Sequence, residues 1–214
     1  MNAQTVLNYL EMVANNNLLV NSSMHIVALI ALAAVFIVKK DIVKRLIFQS
    51  AVSTLFLSVT INALLFGNPF HAATFGILAI TSLVELFKGK NAIRISTNIW
   101  NVVIGFLFVF IGLWYPEFVN KNLLLLLFVS PAGIIPCPTL LVALGLLTLI
   151  FPKVNRVQYA VTTAMGIIYA VIGVFVFKVY LDITLLALVL YAICIYYKSK
   201  KRNTRFSSNQ ILSK

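Results

Sequence analysis

Charge is what this sequence has least of. Its five acids and 17 Lys plus Arg give 10% charged residues, against the roughly 25% with which a water-soluble domain covers its surface. An ordinary soluble domain is thereby excluded. Cysteine is almost as scarce: Cys137 and Cys194 are too few for a disulfide framework. The motifs that fix a reaction are missing as well, with no G-x-S-x-G, H-E-x-x-H, P-loop or D-x-D metal pair on an apolar segment. An intramembrane hydrolase would have only Cys137 with His25 or His71 as nucleophile and base. Met1 to Ser23 holds no Lys or Arg and no apolar core before a small-residue cleavage site, so no cleavable signal peptide is read there. No internal repeat is visible, which leaves the inverted halves of many secondary transporters without support in the sequence.

What is present is apolar. Hydrophobic residues make up 61% of the 214, and the mean hydropathy is +1.00. Apolar runs lie at about 24–38, 46–66, 71–87, 97–115, 122–151, 157–177 and 179–197. Most approach the ~20 residues that cross ~30 Å of hydrocarbon as a helix. The expected fold is all-α, a polytopic transmembrane bundle of about seven spans covering 24–197. Before it, residues 1–23 place Val6, Leu7, Leu10 and Val13 at helical spacing, an interfacial amphipathic helix ended by the polar run Asn15 to Asn17. After it, residues 198–214 are basic and rich in Ser and Asn, and are expected to be an unstructured cytoplasmic tail.

The net charge of +12 sits between the runs. One alternating set of connections holds Lys39, Lys40, Lys44, Arg45, Lys88, Lys90, Arg94, Lys153, Arg156 and the tail cations, 15 of the 17; the other set holds Lys121 and Lys178. Cytoplasmic loops collect Lys and Arg, so the split predicts an odd number of spans, the N-terminus outside and the C-terminus in the cytoplasm. The expected partners are the lipid bilayer and anionic lipid headgroups at the cytoplasmic face; cations confined to short loops exclude nucleic acid as a partner. No cofactor is expected.

The most unusual stretch is Ser130-Pro131-Ala132-Gly133-Ile134-Ile135-Pro136-Cys137-Pro138-Thr139. Proline removes a backbone donor and clashes with the preceding turn, so the fifth span is expected to break into a short helix at 122–130, an irregular turn and a helix from about Thr139 to Phe151. Irregular backbone at membrane depth persists only where protein or water satisfies it. One reading is a binding site for an ion or small solute, formed by carbonyls near Pro136, the following helix N-terminus, the Cys137 thiol, Pro138 and the Thr139 hydroxyl; the other is a packed kink with Cys137 as filler. Counting from Phe151 puts Cys137 ~21 Å above the cytoplasmic end and in the outer half, ~15 Å from the depth of Cys194 and beyond disulfide reach.

Few other ionisable groups lie near the spans. Glu11, His25, His71, Glu117 and Asp182 fall on the outer side and, with Cys137, form a set suited to a soft metal or a proton relay. The simpler reading makes each an interfacial residue at a helix end. The candidate ligand-binding residues are thus Pro136, Cys137, Pro138, Thr139, His25, His71, Glu117 and Asp182, with no catalytic residue and no specified metal. Glu85, three residues before Lys88, reads as half of a surface ion pair. Asn101, Gly105, Phe108 and Gly112, and Thr162, Gly166, Tyr169, Ala170 and Gly173, read as packing seams or pore-lining faces. Gln49, Ser53, Ser58, Thr60 and Asn62 are placed to bond across helices or line a wet path.

The element Ile135-Pro136-Cys137-Pro138-Thr139, with the apolar run Leu140 to Leu149 around Gly145 and the earlier Tyr115-Pro116, resembles an uncharacterised family of bacterial multipass membrane proteins that carries a T-P-C-P-T signature. The resemblance implies a shared fold and a bacterial cytoplasmic membrane, and brings no activity. Ile135 stands where that family usually has threonine, so one hydroxyl is absent. Nickel and cobalt exporters also carry a proline-cysteine-proline element, but their His-rich loop has no counterpart here. The leading expectation is a small-solute or ion transporter or channel-like protein using the broken span. The alternative is a non-transporting accessory subunit or scaffold with a basic cytoplasmic tail.

Overall fold

Residues 136–149 are apolar on every face apart from Thr139 and Thr148, and a helix of that kind belongs in an interior. In the computed structural model, which describes residues 3–89 and 92–212 (side chains of 4–89 and 92–201), every residue of this helix is buried. Around it stand α1 (Ala3–Asn16), α2 (Leu18–Ile37), α3 (Asp41–Leu65), α4 (Pro69–Lys88), α5 (Ile99–Leu113), the single turn α6 (Leu126–Val129), α7 itself (Pro136–Leu149), α8 (Arg156–Val171) and α9 (Ile183–Leu212). The architecture is all-α, and no strand occurs among the described residues. Lys90 and Lys214, counted among the basic residues above, lie outside the described residues.

Helices α2, α3, α4, α8 with its continuation to Val176, and the Tyr180–Lys201 stretch are long and apolar enough to cross a membrane; α5 and α7 are shorter apolar helices. Five such helices make this a multipass membrane protein in build. The outward faces of α2, α4 and α5 carry exposed Ile, Leu and Phe side chains such as Ile37, Phe87 and Phe110, as lipid contact requires.

Helix α7 meets α2, α3, α5, α8 and α9. Its contact with α5 is glycine-dependent. A Cβ on Gly105 would come within 2.9 Å of the Gly145 carbonyl, one on Gly145 within 2.9 Å of the Gly105 carbonyl, and one on Gly112 within 2.8 Å of the Pro138 carbonyl. Backbones this close admit only glycine. The α5 stripe is therefore a packing seam against α7. The α8 stripe also packs, with Gly166 against Val189 of α9.

The fifth apolar run is interrupted as expected, between Ser130 and Ile135. Two boundaries differ. Helix α7 begins at Pro136 rather than near Thr139, because prolines in a first turn lack only N–H groups that have no helical partner anyway. The preceding helix is one turn, not 122–130. In the N-terminal region the chain breaks at Asn17, but α2 starts at Leu18 rather than at 24. Its polar residues make local and cross-helix bonds: Asn21 Nδ2 donates to the Ala14 and Val129 carbonyls, both at 3.0 Å, while its Oδ1 is buried without a partner, and Ser22 and Ser23 donate to carbonyls one turn back. The expected unstructured tail is also corrected, since α9 continues past Tyr197 to Leu212. A helix already nucleated and packed extends at little entropic cost, and Lys198, Lys200 and Lys201 favour helix.

Candidate functional site

Asp182 is the most confined acid in the chain. It ends a short 3-10 turn, Tyr180–Asp182, and is 2% exposed. Three elements converge on it. Tyr115, just beyond α5, donates its hydroxyl to Asp182 Oδ1 at 2.6 Å. The Cys137 thiol, in the first turn of α7, lies beside the same carboxylate on the wall of one cavity. Gly173 lies against Oδ2 so closely that a Cβ there would overlap it. Burial, with Cys137 and Asp182 alongside, raises the Tyr115 phenol well above its usual pKa, so this hydroxyl stays a donor at neutral pH.

The backbone around Gly173 is built for this approach. Residues Ile172–Val176 form a π turn at the end of α8, an arrangement in which one extra residue widens the helix. Phe177 N–H then donates to the Ile172 carbonyl and Val179 N–H to the Gly173 carbonyl, both at 3.0 Å. Lys178 adopts a left-handed φ of 58° to complete the reversal.

Asp182, Cys137, Pro136 and His71 all line one cavity of about 430 Å³. Its remaining walls are mainly apolar and include the aromatic side chains of Tyr9, Phe66, Phe70, Phe118, Tyr169 and Phe177. The His71 ring centroid lies 5.4 Å and that of Phe70 5.8 Å from that of Tyr169. Asn68 caps α4, accepting from His71 N–H at 3.1 Å and placing its amide 3.0 Å from His71 Nδ1. Helix α1 closes one side: Tyr9 donates to the Phe66 carbonyl at 2.9 Å, Asn15 to the Phe118 carbonyl at 2.9 Å, and Asn120 to Glu11 Oε1 at 2.6 Å.

Four of the eight candidate residues thus meet, and four do not line the cavity. Pro138 is buried in the first turn of α7, its carbonyl against Gly112. Thr139 is a local brace, donating to the Ile135 carbonyl at 2.6 Å and accepting from Gly133 N–H at 2.7 Å. His25 is buried elsewhere, with Nδ1 2.8 Å from the Asn21 carbonyl, and Nε2 2.9 Å from the Leu113 carbonyl and 3.3 Å from Ser130 Oγ. It ties α2 to the end of α5 and to the break, which leaves no free nitrogen for a ligand or for Cys137. Glu117 is exposed. The soft-metal set is corrected accordingly: among the described residues no three His, Cys, Asp or Glu side chains converge to hold a metal ion.

A polar stripe continues from this cavity between α3, α4 and α8. Tyr169 and Thr74 hydroxyls are 2.6 Å apart. Further along, Gln49 and Gln158 exchange amide hydrogen bonds of 3.0 and 2.9 Å, and Gln158 also donates to Ser82 at 3.0 Å. Ser53 Oγ is buried without a partner. At the far end Asn155 donates to Glu85 Oε2 at 2.7 Å. Glu85 is 5% exposed, so the surface pair with Lys88 is replaced by a buried carboxylate facing the α8 cap. Thr74 to Glu85 and Gln158 to Tyr169 are each eleven residues apart, a stripe of ~16 Å. Ser58, Thr60 and Asn62 do not join it as cross-helix bridges: Thr60 and Asn62 bond carbonyls of their own helix. A spacing signal existed for Ser82 with Glu85 and for Gln158 with Thr162 and Tyr169, each one face of an apolar helix.

Comparisons with protein-family models, curated proteins and solved structures return no match.

Proposed function

We propose that this chain is a small-solute transporter or channel-like protein of a bacterial cytoplasmic membrane, with its solute site in the Asp182 cavity. The observation that carries the reading is the meeting of a buried carboxylate, a thiol and an aromatic-walled cavity at the break in the fifth apolar run. Breaks of this kind place backbone and side-chain polar groups where a solute can use them. The polar stripe from Tyr169 to Glu85 supports passage rather than simple binding, since it offers hydrogen-bonding groups along a path otherwise apolar.

Seven crossings accord with the arrangement of the connections. Those at 66–69, 114–125 and 177–182 gather with α1 around the cavity, while those at 38–40, 92–98 and 150–155 meet at the other end, through Arg45 with the Gly89 carbonyl, Arg94 with Asp41, and Asn101 with the Phe151 carbonyl. The second group collects the cations, so it faces the cytoplasm and anionic headgroups, and the cavity faces outward. Helix α7, at 14 residues, is ~21 Å long; buried on all sides, it has no lipid thickness to match.

The test is thermal unfolding of the protein purified in a neutral detergent, against a panel of amines, anions, sugars and divalent metals. A ligand at 100 times its Kd stabilises by ~2.7 kcal/mol. A selective shift lost in Asp182→Asn, followed by uptake of that solute into proteoliposomes, supports the proposal. A panel without any shift overturns it in favour of a non-transporting subunit.

A further inference from the structure

We infer that the occupant of the Asp182 cavity is a small organic cation, an amine or quaternary ammonium with apolar substituents; this rests on the reading of the cavity as a solute site. Among the described residues Asp182 is the only acid lining the cavity, and no Lys or Arg lines it. Its hydrogen-bond partner, the Tyr115 hydroxyl, orients the carboxylate and brings no compensating charge. A carboxylate 2% exposed with no Lys or Arg beside it favours a cation in the adjoining space.

The walls narrow the class of cation. Divalent metals need several oxygen, nitrogen or thiolate ligands around one point, and no such group of three exists among the described residues. The faces of phenyl and phenol rings do not ligate metals, whereas they attract organic ammonium groups. Tyr9, Phe66, Phe70, Phe118, Tyr169 and Phe177 supply such faces around a single negative charge. Anions meet the carboxylate unfavourably. Sugars need a dense set of polar partners that these walls lack. A volume of about 430 Å³ also leaves room for substituents beyond the ammonium head.

The deciding experiment is calorimetric titration of the full chain, in maltoside micelles with blank micelles subtracted, using benzyltrimethylammonium and its uncharged isostere neopentylbenzene. Saturable binding of the cation at least roughly ten-fold tighter than of the isostere, with a similar loss in Asp182→Asn and a loss of about five-fold in Phe177→Leu, is the expected result. If Asp182→Asn does not fold, Phe177→Leu and the ratio of the two probes on the unaltered protein decide. Equal binding of both probes, or of the cation to both proteins, overturns the cation assignment while the cavity stays a solute site. Binding of neither probe overturns it too, and the wider solute panel then judges the transport reading separately.

Discussion

Gly173 and the Asp182 carboxylate occupy adjoining space so tightly that any side chain on the first displaces the second. The π turn of Ile172–Val176 exists at the point where this approach occurs. Gly173→Ala should therefore break the Tyr115 bond to Asp182 and lower stability by about 1–3 kcal/mol. Thermal unfolding in detergent measures the loss of stability. Ligand titration measures the damage to the site: binding at the cavity should fall further than stability does, and normal binding by the Gly173→Ala variant would remove Asp182 from the site.

The α5 and α7 seam supports the site from behind. Gly145 and Gly105 each present a carbonyl to the other at a separation that excludes a methyl group. Gly145→Ala should force the helices apart and tilt the Cys137 turn, lowering the unfolding midpoint, with a cost of about 1–3 kcal/mol. Gly76, which has only Thr60 Cγ2 at 3.9 Å, is the matched control: alanine there should be neutral or stabilising by about 1 kcal/mol. Equal midpoints for the two variants would show that the seam is not tight.

The membrane-embedded build was legible because hydropathy and loop charge are local properties, and the break was legible because proline acts on its own turn. Cys137, His71 and Asp182 were found by rarity, since reactive or ionisable residues in an apolar chain have few structural excuses, and Pro136 was found through the break itself. Their convergence was not readable, since Tyr115 and Asp182 are 67 residues apart and meet only through the packing of α5, α7 and α9. His25 shows the reverse. Its rarity suggested chemistry, yet its two nitrogens lie 2.8 and 2.9 Å from the Asn21 carbonyl within α2 and the Leu113 carbonyl at the end of α5. Glu85 was misread because sequence proximity to Lys88 outweighed the α4 face it shares with Ser82, and the α8 cap that buries it is 70 residues away.

The Gln49 and Gln158 pair separates a structural stripe from a conducting one. Each amide both donates to and accepts from the other, so removing one partner leaves a buried amide unmet, at about 1–3 kcal/mol. Gln49→Leu and Gln158→Leu should each destabilise by roughly that amount. The double variant should destabilise by less than their sum, with a coupling of about 1 kcal/mol or more, because two leucines pack without polar demands. Ser82 loses its donor in Gln158→Leu and in the double variant alike, so it cancels from the cycle. A folded double variant then carries an apolar plug across the middle of the stripe. If the stripe is the route, this variant should bind solute at the Asp182 cavity with unchanged affinity and fail to move it into proteoliposomes. Undiminished uptake would place the route elsewhere and leave the glutamines as interhelical ties.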